Sequence, residues 1–180
     1  MGTEGAPDAD PRAAVARAID RREKREIRHR WKVAAVLAAA VFVADQITKS
    51  IIRATMVLGE DIPVIPNLFA ITRVRNEGIA FSLFPGRQGL IATLTIVALG
   101  VIALALMRLV GRNTWIAAGA GLLFGGSLGN LVDRLLHGGV TDFLDLTRWP
   151  AFNIADIGIT CGAALVVFGL LRDADRDPET

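Results

Sequence analysis

Apolar residues in this chain are gathered into blocks, and the charged residues that interrupt them fall near the block ends. Gly89–Leu109 carries no charge before Arg108, and Trp115–Val132 is a second uncharged block rich in Gly and Ala. Phe152–Leu171 is interrupted only by Asn153 and Asp156 near its start, and Val33–Ala44 continues through Asp45 and Lys49 to about Met56. At about 1.5 Å per residue, blocks of this length match a hydrocarbon core of about 30 Å. The pattern predicts an all-α membrane protein with four transmembrane helices, over about 31–55, 89–109, 114–136 and 152–171.

The outer loop between the first two blocks, about 56–88, has a different period. Asp61–Ile65 and Phe69–Arg75 are short and β-branched, with Pro63, Pro66 and Asn67 as punctuation, and predict two strands joined by a turn. Alternation places Phe69, Ile71, Arg73 and Arg75 on one face of the second strand. Asn76-Glu77-Gly78 reads as a turn, and Phe81, Leu83 and Phe84 read as residues dipping toward lipid. A small extracytoplasmic β-sheet in this first outer loop is therefore expected.

Length and composition add boundaries. With 180 residues, 52% of them apolar, the chain holds one domain. That domain is placed at 31–172, between a basic arm at 1–30 and a short tail at 173–180. Nine Lys or Arg residues precede Val33, and Arg108, Arg112, Arg172 and Arg176 bring the basic residues on that side of the predicted topology to 13 of 20. Basic residues favour the cytoplasmic side, so both termini are placed there and the loops Arg53–Gln88 and His137–Pro150 outside. The arm reads as a solvated tail, with an amphipathic helix on anionic lipid as the alternative. Its long charged run, leading into Asp45 and Lys49, does not fit a cleavable signal peptide. The single Cys161 reads as a small packing residue, and one Cys with two His (His29, His137) offers neither a disulfide nor a metal set.

Ionisable groups at membrane depth cost about 2.5–3.5 kcal/mol each on insertion scales, which makes them functional candidates. Asn130, Asp133, Arg134 and His137 share a face of the third helix by their i, i+3, i+4, i+7 spacing. Gly138-Gly139 ends that helix and Asp142 follows. Asn153, Asp156 and Thr160 share a face near the start of the fourth, and Asp45 and Lys49 approach the same outer side on the first. Two close carboxylates cannot both ionise, so one keeps a proton while the other acts as a base on water. Ser50, Ser82 and Ser127 have no histidine by spacing, and no Gly-rich loop ends in the Lys-Ser/Thr of a phosphate cradle. Asp45–Lys49 reads as a structural ion pair. Asp133 and Arg134 stay open between an orienting network and substrate contact, Asn130 and Asn153 between cross-helix hydrogen bonding and a site role. Asp145 reads as a solvated loop residue. For Asp142 and Asp156 the residues alone leave structural and catalytic roles equally open.

Five motifs in order decide among these readings: Asp45-Gln-Ile-Thr-Lys49, Asn76-Glu-Gly-Ile-Ala-Phe81, Gly129-Asn-Leu-Val-Asp-Arg134, Val140-Thr-Asp-Phe143 and Phe152-Asn-Ile-Ala-Asp156. Over roughly 31–172 the chain resembles the lipoprotein signal peptidase (signal peptidase II) family of membrane aspartyl proteases. The resemblance implies cleavage of prolipoproteins N-terminal to a diacylglyceryl-modified cysteine, with Asp142 and Asp156 as catalytic residues and no cofactor or metal. It implies that Asn76, Gly78, Asn130, Asp133, Arg134 and Asn153 shape the pocket, with Asp45 and Lys49 in support. It also implies a bacterial plasma-membrane location, contact with membrane lipid, inhibition by globomycin, no nucleic-acid partner and a monomer. Thr141 stands where Val is common in the family. A proton-coupled transporter or channel is the alternative from another class and predicts polar residues throughout the membrane depth. A non-catalytic assembly subunit, suggested by the Gly-rich third helix, is a further one.

Overall fold

The computed structural model describes residues 11–77 and 88–175. The elements run α1 (Pro11–Thr55), β1 (Asp61–Ile65), β2 (Phe69–Asn76), α2 (Gln88–Leu109), α3 (Thr114–His137), β3 (Val140–Leu146), β4 (Trp149–Phe152) and α4 (Ile154–Ala174). Gly78, and Phe81, Leu83 and Phe84 with it, lie outside the described residues. Among the described residues α1, α3 and α4 are long and apolar enough to cross a membrane, and α2 adds the shorter apolar stretch Ile96–Leu109. Val36, Val43, Val97, Leu104, Val167 and Leu171 point their apolar side chains outward, as helices in lipid do.

The first helix is the largest departure from expectation. It starts at Pro11, not near residue 31, and its 45 residues make a rod of about 67 Å. Ala and Arg are strong helix formers. Ion pairs one turn apart support the arm, Asp20–Lys24 at 2.9 Å, Arg22–Glu26 at 3.7 Å and Glu26–Arg30 at 3.3 Å. The arm, expected as a solvated tail with an amphipathic helix as the alternative, is helical and exposed.

At the centre of the bundle α3 packs against α1, α2 and α4. Its glycines permit close approach: a methyl at Gly121 or Gly125 would strike the backbone of Ala34 or Ala38 in α1, and one at Gly126 the carbonyl of Ala155 in α4. The small-residue face is therefore used inside the chain, which removes the main reason for reading an assembly subunit. Asn113 caps the start of α3 by accepting from the Ile116 N–H, and its Nδ2 ties that end to the Gly169 carbonyl at 3.0 Å. Gly138, with φ 68°, ends the helix in the left-handed region where glycine carries no Cβ penalty.

The sheet is antiparallel in the order β1-β2-β3-β4, so it draws on both the α1–α2 and the α3–α4 connections and not on the first alone. The second loop gave no strand signal because Val140–Leu146 carries two aspartates and β4 contains Pro150, which fits an edge strand. Asn76, expected in a turn, is the last residue of β2 and pairs with Val140. Asp145 is a strand residue opposite Ala70, not a loop residue. Phe152 was expected in the last helix but pairs with Leu144 in β4, and α4 begins at Ile154. Cys161, expected to pack inside, is exposed on α4. Arg73 on β2 donates to the carbonyls of Met56 at 2.5 Å and Arg53 at 3.2 Å, fastening the sheet to the end of α1.

Candidate active site

The turn from β4 into α4 builds half of the site. Asn153 is the N-cap of α4; its side chain accepts from the Asp156 N–H at 3.0 Å, while Asp156 Oδ2 accepts from the Asn153 N–H at 3.2 Å. This reciprocal capping box satisfies two backbone donors and fixes the Asp156 side chain at the helix entrance.

The other half comes from the sheet. Asn76 pairs with Val140, which places Asp142, two residues on, on the same face of β3 as its diagonal neighbour. Asn76 Nδ2 donates to Asp142 Oδ2 at 3.0 Å, and Asn153 Nδ2 donates to Asp142 Oδ1 at 2.7 Å. Asn153 therefore bridges the two aspartates through its side chain and its backbone.

Beneath them lies a buried network. Lys49 and Asp45 are fully buried and 2.8 Å apart, and Lys49 also donates to Asn130 Oδ1 at 2.8 Å. A lysine can only donate, so it turns the Asn130 amide with oxygen toward itself. The Asn130 Nδ2 is then left to donate to Asp156 Oδ1 at 2.8 Å. Asp45 Oδ1 accepts from the Ala155 N–H at 3.0 Å, joining α1 to the first turn of α4. Asp133 accepts from the Thr141 N–H at 2.8 Å and from Arg53 at 3.0 Å, so it holds the start of β3, one residue from Asp142. Among the described residues no buried side-chain nitrogen or oxygen lacks a partner.

Asp142 and Asp156 open on one cavity of about 220 Å³, together with Asn76, Asn130 and Arg134, and walled by Trp149 and Phe152. Burial pushes the Asp142 carboxyl up to about 6, against the Asn76 and Asn153 donors that favour its anion, and the charge of Asp156 adds to the rise. Among the described residues no three His, Cys, Asp or Glu side chains gather as a metal-ligand group. Two carboxylates on one cavity, one of them holding its proton into the mildly acidic range, are equipped for general acid–base hydrolysis.

The family described as Signal peptidase (SPase) II matches residues 37–172. The chain belongs to the signal peptidase II family. The lipoprotein signal peptidase of Pelotomaculum thermopropionicum is 40% identical over 141 residues, 78% of this chain and 93% of that protein. That of Geobacter sulfurreducens is 45% identical over 141 residues, 74% and 88% of the two chains. A bacterial membrane enzyme solved by the in meso method at 2.3 Å resolution is 35% identical, with a TM-score of 0.71 over 82% of this chain and 92% of its own. A second, solved at 1.9 Å, is 36% identical with a TM-score of 0.66 over 78% and 93%. Signal peptidase II enzymes are membrane proteases, and this chain has their fold.

Of the residues singled out from the sequence of this signal peptidase II family member, Asn76, Asn130, Arg134, Asp142 and Asp156 line the cavity, and Asn153 joins the two aspartates from behind it. Asp45, Lys49 and Asp133 sit in the supporting network, and Gly78 is outside the described residues. His137 approaches Asp133 at 3.6 Å and does not line the cavity. Sequence reasoning missed Arg53, Gln46 and the closeness of Gly129. Arg53 bonds both Asp133 and the Thr141 hydroxyl, and Gln46 Nε2 donates to Asp45 and to the Gly129 carbonyl. A methyl at Gly129 would lie 2.5 Å from Asp45 Oδ2. The signal for Arg53 was present, since Asp45, Lys49 and Arg53 stand at i, i+4 and i+8 on one helix face.

Proposed function

We propose that this chain is an aspartic-type membrane endopeptidase that removes signal peptides from diacylglyceryl-modified prolipoproteins, cutting N-terminal to the lipidated cysteine. The observation that carries the reading is the pair Asp142 and Asp156 on one cavity, each oxygen held by an asparagine donor. Those donors leave each carboxylate oxygen a second lone pair for a proton or water. Asp156 takes a proton from water, the resulting hydroxide attacks the scissile carbonyl, and Asp142 protonates the carbonyl oxygen as it becomes tetrahedral. Collapse breaks the C–N bond as Asp142 takes a proton back from the tetrahedral diol and Asp156 gives the proton it took from water to the departing cysteine amine, so the pair returns to its starting state. Arg134 closes one side of the cavity and donates to the Asn130 carbonyl at 3.3 Å, a supporting position.

The surroundings suit such a substrate. An apolar groove of about 310 Å³ adjoins Asp156, lined by Leu146, Trp149, Phe152 and Ile157, and offers room for acyl chain or apolar peptide beside the dyad. The buried polar residues Asp45, Lys49, Asn130, Asp133, Asp142 and Asn153 all lie at one end of the bundle. A transporter requires polar groups through the membrane depth, so this one-sidedness favours the peptidase. Four spans with both termini cytoplasmic, from the placement of basic residues, set the dyad at the outer face of a bacterial plasma membrane. One chain supplies both aspartates, so a monomer suffices, and globomycin is expected in the same cavity. Cells depleted of their own prolipoprotein peptidase test the reading. Expression of this chain should restore precursor processing, and globomycin should abolish it; persistent accumulation of unprocessed precursor would contradict it.

A pH dependence follows from Asp142. Its folded-state carboxyl, at about 6, binds a proton more tightly than the unfolded chain's does, so folding stability is greatest at low pH and declines as pH rises from about 4 to about 6. Over that range the melting temperature of the wild type should fall more steeply with pH than that of Asp142→Asn, which lacks this group's decline; equal slopes would contradict the raised carboxyl. In turnover, kcat/KM should fall as pH rises through about 6, when the free enzyme loses the shared proton. A profile flat from pH 5 to 8 would contradict the assignment of Asp142 as the acid.

A further inference from the structure

The end of the bundle opposite the dyad carries a second polar cleft, of about 440 Å³, lined by Arg25, Glu26, His29, Arg30 and Thr114. We propose that this cleft and the apolar groove beside it form a binding site for an anionic phospholipid, the phosphate against Arg25 and His29 and an acyl chain between α1, α2 and α3.

The charges in the cleft are unevenly committed. Arg30 is fixed: Nη1 donates to the carbonyls of Gly111 and Arg112, and Nη2 to Glu26 at 3.3 Å. Glu26 is the one carboxylate lining the cleft, and it is shared between Arg30 and Arg22, the latter at 3.7 Å. Its negative charge is thus countered within the protein. Arg25 and His29 project from the same side of α1 and have no protein partner among the described residues. What remains for a ligand is cationic, with hydrogen-bond donors suited to phosphate oxygens.

Depth identifies the source of that phosphate. Arg30 reaches the carbonyls of Gly111 and Arg112 in the turn before α3; Trp31 follows it on α1, and Trp115 is the second residue of α3. Both tryptophans are about two-fifths exposed (42% and 43%), and Trp115 meets Phe168 edge-on at 5.2 Å. Tryptophans concentrate at headgroup level, so the cleft lies where lipid phosphates lie. Directly along α1 an apolar groove of about 200 Å³ begins, lined by Trp31, Ala34, Ala38, Met107 and Phe124. Arg30 and Ala34 are one turn apart, so the basic cleft and the groove follow each other on one helix face. A free phosphate would use only the first, whereas a phospholipid fits both. Arg25, His29 and Arg30 precede the matched residues 37–172, so the basic half of the site lies in this chain's arm, while Thr114 and most of the groove lie within the matched region.

Native mass spectrometry of the full-length protein in detergent, titrated with equimolar phosphatidylglycerol and phosphatidylcholine, tests the proposal. The wild type should retain phosphatidylglycerol in preference, and Arg25→Gln/His29→Gln should lower that retention at least about fivefold, from the loss of two basic contacts. Arg25→Lys should keep it, and Ala103→Phe, which fills the groove, should lower it. Melting temperature measured alongside reports folding; if the double variant melts early, Arg25→Gln against Arg25→Lys supplies the comparison. Equal retention of the two lipids, retention unchanged in Arg25→Gln/His29→Gln or in Ala103→Phe, or displacement by millimolar inorganic phosphate would each overturn it.

Discussion

Asp142→Asn and Asp156→Asn are each expected to lower cleavage of a lipidated precursor by about a thousandfold or more while the protein stays folded in detergent. An amide has nearly the shape of a carboxyl, but it can neither take a proton from water nor give one to the developing oxyanion. At Asp142 the new NH₂ would also face the Asn76 or Asn153 NH₂ group, donor against donor, where the carboxylate now accepts from both. The initial rate on purified precursor is the measurement, with circular dichroism as the folding check. Full activity in either variant would remove that residue from the dyad.

Lys49→Met should damage both stability and activity. Lys49 and Asp45 have no solvent exposure, and removing one partner leaves a buried charge, a loss of about 3–5 kcal/mol where such pairs have been broken. Asp45 would keep its contacts to Gln46 and the Ala155 N–H but lose its cation. Asn130 Oδ1 would lose the closer and charged of its two donors, keeping only Asn153 Nδ2 at 3.2 Å, so the amide that presents its NH₂ to Asp156 would be held less firmly. The expected outcome is a lower melting temperature together with at least about a hundredfold loss of turnover, as for residues that orient a reacting group. Asp45→Asn/Lys49→Met should recover stability over the single variant without recovering turnover. That split separates the buried charge from the orientation of Asn130; equal recovery of both would show that Lys49 acts through stability alone.

The helices were legible because lipid demands long apolar runs, and α2, α3 and α4 begin and end within a few residues of where hydropathy places them. The arm was not, since a helix of alternating charges has no apolar stripe to betray it; its support comes from ion pairs one turn apart. The strands between α3 and α4 were hidden for another reason. Thr141 and Asp142 are buried in β3, the opposite of what polar residues in a short loop signal, because the lost hydration is replaced by Arg53 and Asp133 at Thr141 and by Asn76 and Asn153 at Asp142. The motifs named nearly every residue of the site, but spacing within a helix could not show that Asn130 lies between Lys49 and Asp156, a contact across three helices. Asp142 could be separated from Asp145 by family motif alone; the sheet gives the physical reason, since residues three apart on a strand face opposite sides.

The most direct measurement incubates the purified full-length protein with a diacylglyceryl-modified precursor in ¹⁸O-labelled water and reads both products by mass spectrometry. The signal peptide should end in a carboxylate carrying solvent oxygen, the lipidated cysteine should be the new N-terminus without label, and Asp142→Asn should yield neither product. Absence of cleavage by the folded wild type, a cut at another bond, or equal cleavage by Asp142→Asn would contradict hydrolysis of prolipoproteins by the Asp142–Asp156 pair.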